Sequence, residues 1–187
     1  MTDKPLLLIV NGPPASGKTT LGEKVAAELG IPMFSKDAIK EELYDSLGPV
    51  VRKVFRHLGA TSMRLMYLAA RSTLEAGRSI VIEANFNRGL SERDIGELLE
   101  LCTPLQLHCD APTDELVDRY AERDAEGERH PVHEGGAAAD SLQDELDDGL
   151  YEPLDLDIPT LQIDTTDGYR PSAGEAAEWI RSRAPIV

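Results

Sequence analysis

The sequence predicts a three-layer α/β sandwich built on a five-stranded parallel sheet. Short apolar runs at Leu6–Val10, Met33–Ser35, Ser79–Glu83, Leu105–Cys109 and Thr160–Asp164 read as strands, and helical periodicity fills the stretches between them. Such alternation feeds right-handed crossovers and places helices on both faces of the sheet. The third observation is Gly12-Pro13-Pro14-Ala15-Ser16-Gly17-Lys18-Thr19, a full G-x-x-x-x-G-K-[ST] loop set between a strand and a helix.

The elements follow in order. Leu6-Leu7-Leu8-Ile9-Val10 is unbroken apolar chain, as expected of a strand covered on both faces. Thr19–Leu29 is helical, with Leu21, Val25, Ala26 and Leu29 on one face and Gly30-Ile31-Pro32 ending it. Met33-Phe34-Ser35 is a short strand leading into Lys36-Asp37. A helix over Asp37–Ser46 stops at Leu47-Gly48-Pro49, and residues 50–76 read as helices closed by Gly77. Ser79–Glu83 carries an acid at its carboxyl end. Ser91 is a candidate N-cap for a helix to Leu101. A strand over Leu105–Cys109, a helix over Asp114–Ala125, the strand Thr160–Asp164 and a helix over Ser172–Arg183 complete the chain, with Trp179 and Ile180 as core contacts. The acid-rich stretch Asp140–Asp157 reads as a solvated helix and loop, or as a docking surface for a cationic substrate.

A length of 187 residues predicts one domain, residues 1–187. Lys and Arg number 19 against 34 Asp and Glu, a net charge of −15. That field repels nucleic acid and anionic membrane and argues against either as principal partner. Cys102 and Cys109 have no metal-site spacing and suggest a reducing compartment. The five-residue apolar run behind Asp3, Lys4 and Pro5 does not read as a signal peptide, and no stretch has transmembrane length. The expected location is cytoplasmic.

The loop implies a nucleoside triphosphate. Amides from Gly12 and from Ala15 through Thr20 would cradle phosphate, backed by the positive end of the helix. Lys18 would reach the transferring phosphate and Thr19 would ligate Mg²⁺. Ligands of parallel sheets sit at the carboxyl ends of strands, which directs attention to residues 35–37, 83–88, 110–112 and 164–167 as well.

With that loop, Ser35-Lys36-Asp37, the arginine-rich segment 119–130 and Asp164-Thr165-Thr166 in view, the chain resembles the small P-loop kinases of the nucleoside-monophosphate-kinase-like group. Within that group it is similar to AAA-type small-molecule kinases. Relatives include chloramphenicol phosphotransferase, zeta toxins, gluconate and shikimate kinases and the kinase half of polynucleotide kinase. The resemblance covers nearly the whole chain. It implies a P-loop fold with sheet order 2-3-1-4-5, an acceptor-covering helical segment at about residues 38–76 and a small helical lid at about residues 123–140. It also implies ATP and Mg²⁺ as cofactors and a small hydroxyl-bearing acceptor such as a metabolite, sugar or antibiotic. The expected state is a monomer or weak homodimer. A nucleoside-monophosphate kinase and a nucleotide-gated switch or toxin are the rival readings.

The resemblance assigns Asp37 as the base for the acceptor hydroxyl; the alternative is a helix cap. Glu83 would touch metal-bound water or acceptor, or make a structural hydrogen bond. Asn85 and Arg88 are candidate acceptor contacts on the same rim, and Arg64 is another on the covering segment, beside Arg52 and Arg56. Arg119 matches the arginine that packs on adenine, with Thr165 in the loop near the base. Arg123 and Arg129 would reach the phosphates, Arg123 clamping the transition state. The alternative pairs Arg119 and Arg123 with Glu115, Asp118 or Glu122 on an exposed helix. His130 and His133 lack the partners of a zinc site.

Overall fold

The computed structural model describes residues 4–47, 55–125, 130–133 and 139–187. Its sheet comprises β1 (Leu6–Asn11), β2 (Met33–Ser35), β3 (Ile80–Glu83), β4 (Thr103–Asp110) and β5 (Thr160–Asp164), all parallel, in the order β2-β3-β1-β4-β5. This is the expected order. The helices are α1 (Lys18–Leu29), α2 (Lys36–Leu47), α3 (Phe55–Glu75), α4 (Glu92–Leu99), α5 (Thr113–Ala125), α6 (Ala139–Asp147) and α7 (Ala173–Arg181), with a 3₁₀ turn at Pro131–His133. Arg52 and Arg129 lie outside the described residues, as does the side chain of Arg56.

Strand β1 is central and buried along its whole length. Its alternate residues serve two separate cores, which is why it carries no polar face. Leu6, Leu8 and Val10 pack with Leu21 and Val25 of α1 and Ala176 and Ile180 of α7, and Trp179 closes on the same cluster. Leu7 and Ile9 pack on the other face with Met66 and Ala70 of α3, Phe86 and Ile95. Among the described residues, no helix is long and apolar enough to cross a membrane.

Three local expectations need correction or refinement. Strand β1 runs on to Asn11, which is fully buried: its Oδ1 accepts from the Phe86 amide at 3.1 Å and its Nδ2 donates to the Glu152 carbonyl at 3.5 Å. The apolar run ends there because the sheet's carboxyl edge must tie three segments together. Ser91 is the N-cap residue of α4, as expected, but its side chain makes no cap hydrogen bond. It has helical angles, and its Oγ accepts from the Asn87 amide at 3.1 Å, closing the turn before α4 instead. The acid-rich stretch is not solvated throughout. Beyond α6 the chain straps back across the α3–α4 side of the sheet, burying Leu154 and packing Leu156 and Ile158, while the Leu150 carbonyl accepts from the Arg88 amide at 2.8 Å.

Candidate active site

Between β1 and α1 the backbone bends through conformations that favour glycine. Gly12 has φ 147°, and a Cβ there would stand 2.2 Å from the Cys109 carbonyl oxygen. Ala15 (φ 63°) and Gly17 (φ 74°) are both left-handed, the alternation that gathers successive amides into one concavity. Gly17 is the N-cap of α1 and offers no side-chain cap hydrogen bond. The first-turn amides of α1 therefore remain open to an anion. The Ser16 Oγ is buried with no partner. The Tyr169 hydroxyl, from the β5–α7 connection, donates to the Gly17 carbonyl at 3.0 Å and braces the loop from outside.

Lys18 is 7 % exposed and donates to the Pro13 carbonyl at 3.0 Å, folding back over its own loop. Burial lowers its pKa, against the opposing pull of Glu83 and Asp37. A cleft of about 470 Å³ opens beside it. The loop and α1 contribute Ala15, Gly17, Lys18, Thr19, Thr20 and Glu23; β2 and α2 contribute Ser35, Asp37 and Glu41. Asn85 comes from the end of β3, Tyr120 and Arg123 from α5, and His133 from the 3₁₀ turn.

Asp37 is the second residue of α2, held by Lys36 Nζ at 2.7 Å. The capping contact at that helix start belongs to Ser35, whose Oγ accepts from the Ala38 amide at 3.5 Å. Glu83 ends β3 at 2 % exposure with Oε2 buried and unpartnered. A buried carboxylate oxygen without a donor suits a hydrated cation, and the Thr19 hydroxyl is a second hard-oxygen donor; together they fit Mg²⁺, which keeps most of its ligands as water and phosphate.

Arg119 makes the ion pair of the alternative reading. It pairs with Glu115 at 2.6 Å and also donates to the Thr165 and Thr166 carbonyls at 2.8 and 3.1 Å, bridging α5 to the β5–α7 connection. Thr165 is buried, its hydroxyl donating to the Asp110 carbonyl at 3.0 Å. Arg123 is exposed and lines the cleft. Asn85 also lines it, with Oδ1 buried and unpartnered. Arg64 is placed elsewhere, in a groove between α3 and α4 with Tyr67, Arg71 and Asp94. Arg88 is exposed, and its charge acts on Glu92.

Sequence reasoning missed Glu41, Tyr120, His133 and Tyr169. Glu41 was findable, one helical turn beyond Asp37. The others arrive from distant segments. His133 Nε2 meets Glu41 Oε1 at 3.0 Å and His130 Nε2 meets Asp45 Oδ1 at 3.1 Å. Between them, the Val132 carbonyl accepts from Lys40 at 3.2 Å, and the Val132 side chain is buried against Leu58, Leu43 and Tyr44. The 3₁₀ turn is thus clasped to α2 at both ends.

Comparison with known proteins bears on the family and the fold. Residues 7–146 match the family model AAA_33, described as an AAA domain. The solved structure of a candidate kinase from Chloroflexus aurantiacus J-10-fl is 35% identical, with a TM-score of 0.85 over 97% of this chain and 100% of that one. Cytidylate kinase of Ignicoccus hospitalis is 27% identical over 122 residues. That match covers 63% of this chain and 64% of the curated relative, just short of two thirds of its length. Shikimate kinase from Acinetobacter baumannii, solved in complex with shikimate, shares the fold at a TM-score of 0.58 and 20% identity, over 97% of this chain and 92% of its own. Loop, sheet order and matched length lead to one assignment: the chain belongs to the AAA_33 family of AAA domains and has the P-loop kinase fold.

Proposed function

We propose that this chain is an ATP- and Mg²⁺-dependent phosphotransferase that moves the γ-phosphoryl group of ATP to a hydroxyl of a small molecule, with Asp37 as general base. The observation that carries the reading is that Lys18 and Asp37 line one cleft and lie close enough for each charge to act on the other. Lys18 belongs to the phosphate loop; Asp37 stands where an acceptor would enter.

The roles follow from what phosphoryl transfer demands, which is positioning and neutralisation of charge. The loop amides and Lys18 hold the β- and γ-phosphates. Arg123 faces the charge that spreads over the γ-phosphoryl oxygens. Arg119 and the β5–α7 connection form the rim for the base. Thr19 and Glu83 would hold a magnesium ion, which would supply neutralisation of the phosphate charge. The acceptor oxygen bonds to the γ-phosphorus as the bond to the β–γ bridging oxygen breaks. The hydroxyl proton passes to Asp37, and ADP leaves.

Likeness to a cytidylate kinase favours a second reading, a nucleoside-monophosphate kinase. Such an enzyme needs arginines around the acceptor phosphate. Among the described residues, Arg64 lies in a different groove and Arg88 is not part of the cleft lining. Asp37→Asn separates the two. It should preserve ATP binding and lower transfer by about 10²–10⁴-fold, the usual contribution of a general base. Transfer at the normal rate, or turnover of common nucleoside monophosphates, overturns the hydroxyl-kinase reading.

A further inference from the structure

We infer that the acceptor is a hydroxyl compound bearing a protonated amine, and that Glu41 is the residue that recognises the amine. The inference rests on the kinase reading above and narrows its substrate class.

Asp37 and Glu41 stand four residues apart on α2, so they share a face of that helix, and both line the cleft. Asn85 adds a buried amide oxygen with no donor. Among the described residues, this side of the cleft is thus lined by two carboxylates and an amide. Each cation nearby among the described residues has a partner or a role in the kinase reading. Lys18 and Arg123 line the cleft and serve the triphosphate in the proposed reading, and Lys36 is engaged with Asp37 at 2.7 Å. Lys40 donates to the Val132 carbonyl at 3.2 Å.

His133 meets Glu41 directly, its Nε2 lying 3.0 Å from Oε1. Burial lowers its pKa, and the nearby carboxylates of Asp37 and Glu41 do not overcome that. A neutral imidazole donates one hydrogen bond to Glu41 but does not itself neutralise the carboxylate. The Glu41 side chain is 40% exposed, so that charge is open to a ligand. A carboxylate or phosphate on the acceptor would be repelled by Asp37 and Glu41 together. A neutral polyol could bind through its hydroxyls. An ammonium group would in addition form a charge-assisted hydrogen bond, the stronger kind. The overall charge of −15 also draws cations toward the protein.

The test uses the full chain with ATP and Mg²⁺ and three matched acceptors: glucosamine, glucose and gluconate, with an aminocyclitol and its neutral parent cyclitol as a second pair. ADP release and product mass report transfer. The native chain should show the highest kcat/KM with the amines and the lowest with the acid. Glu41→Gln should reduce the amine-to-neutral ratio of kcat/KM by about tenfold or more, mainly through KM, as expected for loss of a hydrogen bond to a charged group. An equal fall with both acceptors would assign Glu41 to holding the 3₁₀ turn and overturn the inference. Native preference for gluconate, or no preference, would overturn it while leaving the kinase reading intact. ATP binding without transfer to any of the set would count against the kinase reading itself, and the inference would fall with it.

Discussion

Lys36 Nζ lies 2.7 Å from Asp37 Oδ1, a partly buried ion pair between sequence neighbours at the start of α2. Burial by itself would raise the Asp37 carboxyl. The charge and hydrogen bond of Lys36, joined by His133 and Lys18, outweigh that and hold it below the ordinary carboxylate value. Asp37 is therefore ionised at neutral pH, the state a proton acceptor needs.

Lys36→Met follows directly. With Lys36 in place, Asp37 stays charged until the pH falls below the usual carboxylate range. Without it, burial dominates and the carboxyl protonates at higher pH. The acid limb of the kcat/KM profile should move to higher pH in the variant. An unmoved limb would show that the essential ionisation belongs to another group.

Lys18→Ala removes the buried ammonium from the phosphate loop. The expected loss in kcat is about 10²–10³-fold, the scale of removing one preorganised donor from a developing charge. Calorimetric titration with ATP should show weakened binding, and far-UV circular dichroism should show the fold retained. Full activity in this variant would refute the assigned role.

Glu83→Gln keeps the size of the side chain at the end of β3 and removes its charge. The variant should need more magnesium, with apparent metal affinity lower by about 10–100-fold, the scale found when groups supporting a metal are altered. A magnesium titration of ATP turnover reads this out. An unchanged magnesium requirement would make Glu83 a structural residue.

Gly12→Ala tests the geometry of the loop itself. The new Cβ meets the Cys109 carbonyl oxygen at 2.2 Å, a backbone atom that cannot swing aside. Backbone strain alone at such a residue costs about 1–3 kcal/mol, and the clash adds to it. Chemical denaturation should show the loss together with impaired ATP binding. Gly30→Ala is the control: it also has a positive φ (69°), but nothing lies within 4 Å of its Cβ, so any effect there is conformational strain without a clash.

Most of the fold was legible because its signals are local. The apolar run Leu6–Val10 had to be a strand covered on both sides, and it packs two cores by alternate residues. Ser91 stands at the N-cap of α4 as expected, but its hydroxyl accepts from the Asn87 amide and makes no cap bond to the helix. In the acid-rich stretch, composition concealed Leu154, which the strap buries among residues of α3 and α4. Average charge over a window says little about a single apolar residue that has a core to enter.

The sequence by itself determined the phosphate loop, the strands that position it and the placing of Asp37 after the second strand. Each of these is a short-range pattern of glycine, apolar and acidic residues whose backbone consequences are nearly context-free. Only the tertiary structure decided which side chains share the cleft. It brought His133 to Glu41 across a separation of 92 residues and Tyr169 to Gly17 across 152, and it turned Arg64 into another groove. Such meetings depend on how helices pack on the two faces of the sheet, and spacing along the chain carries no record of that packing.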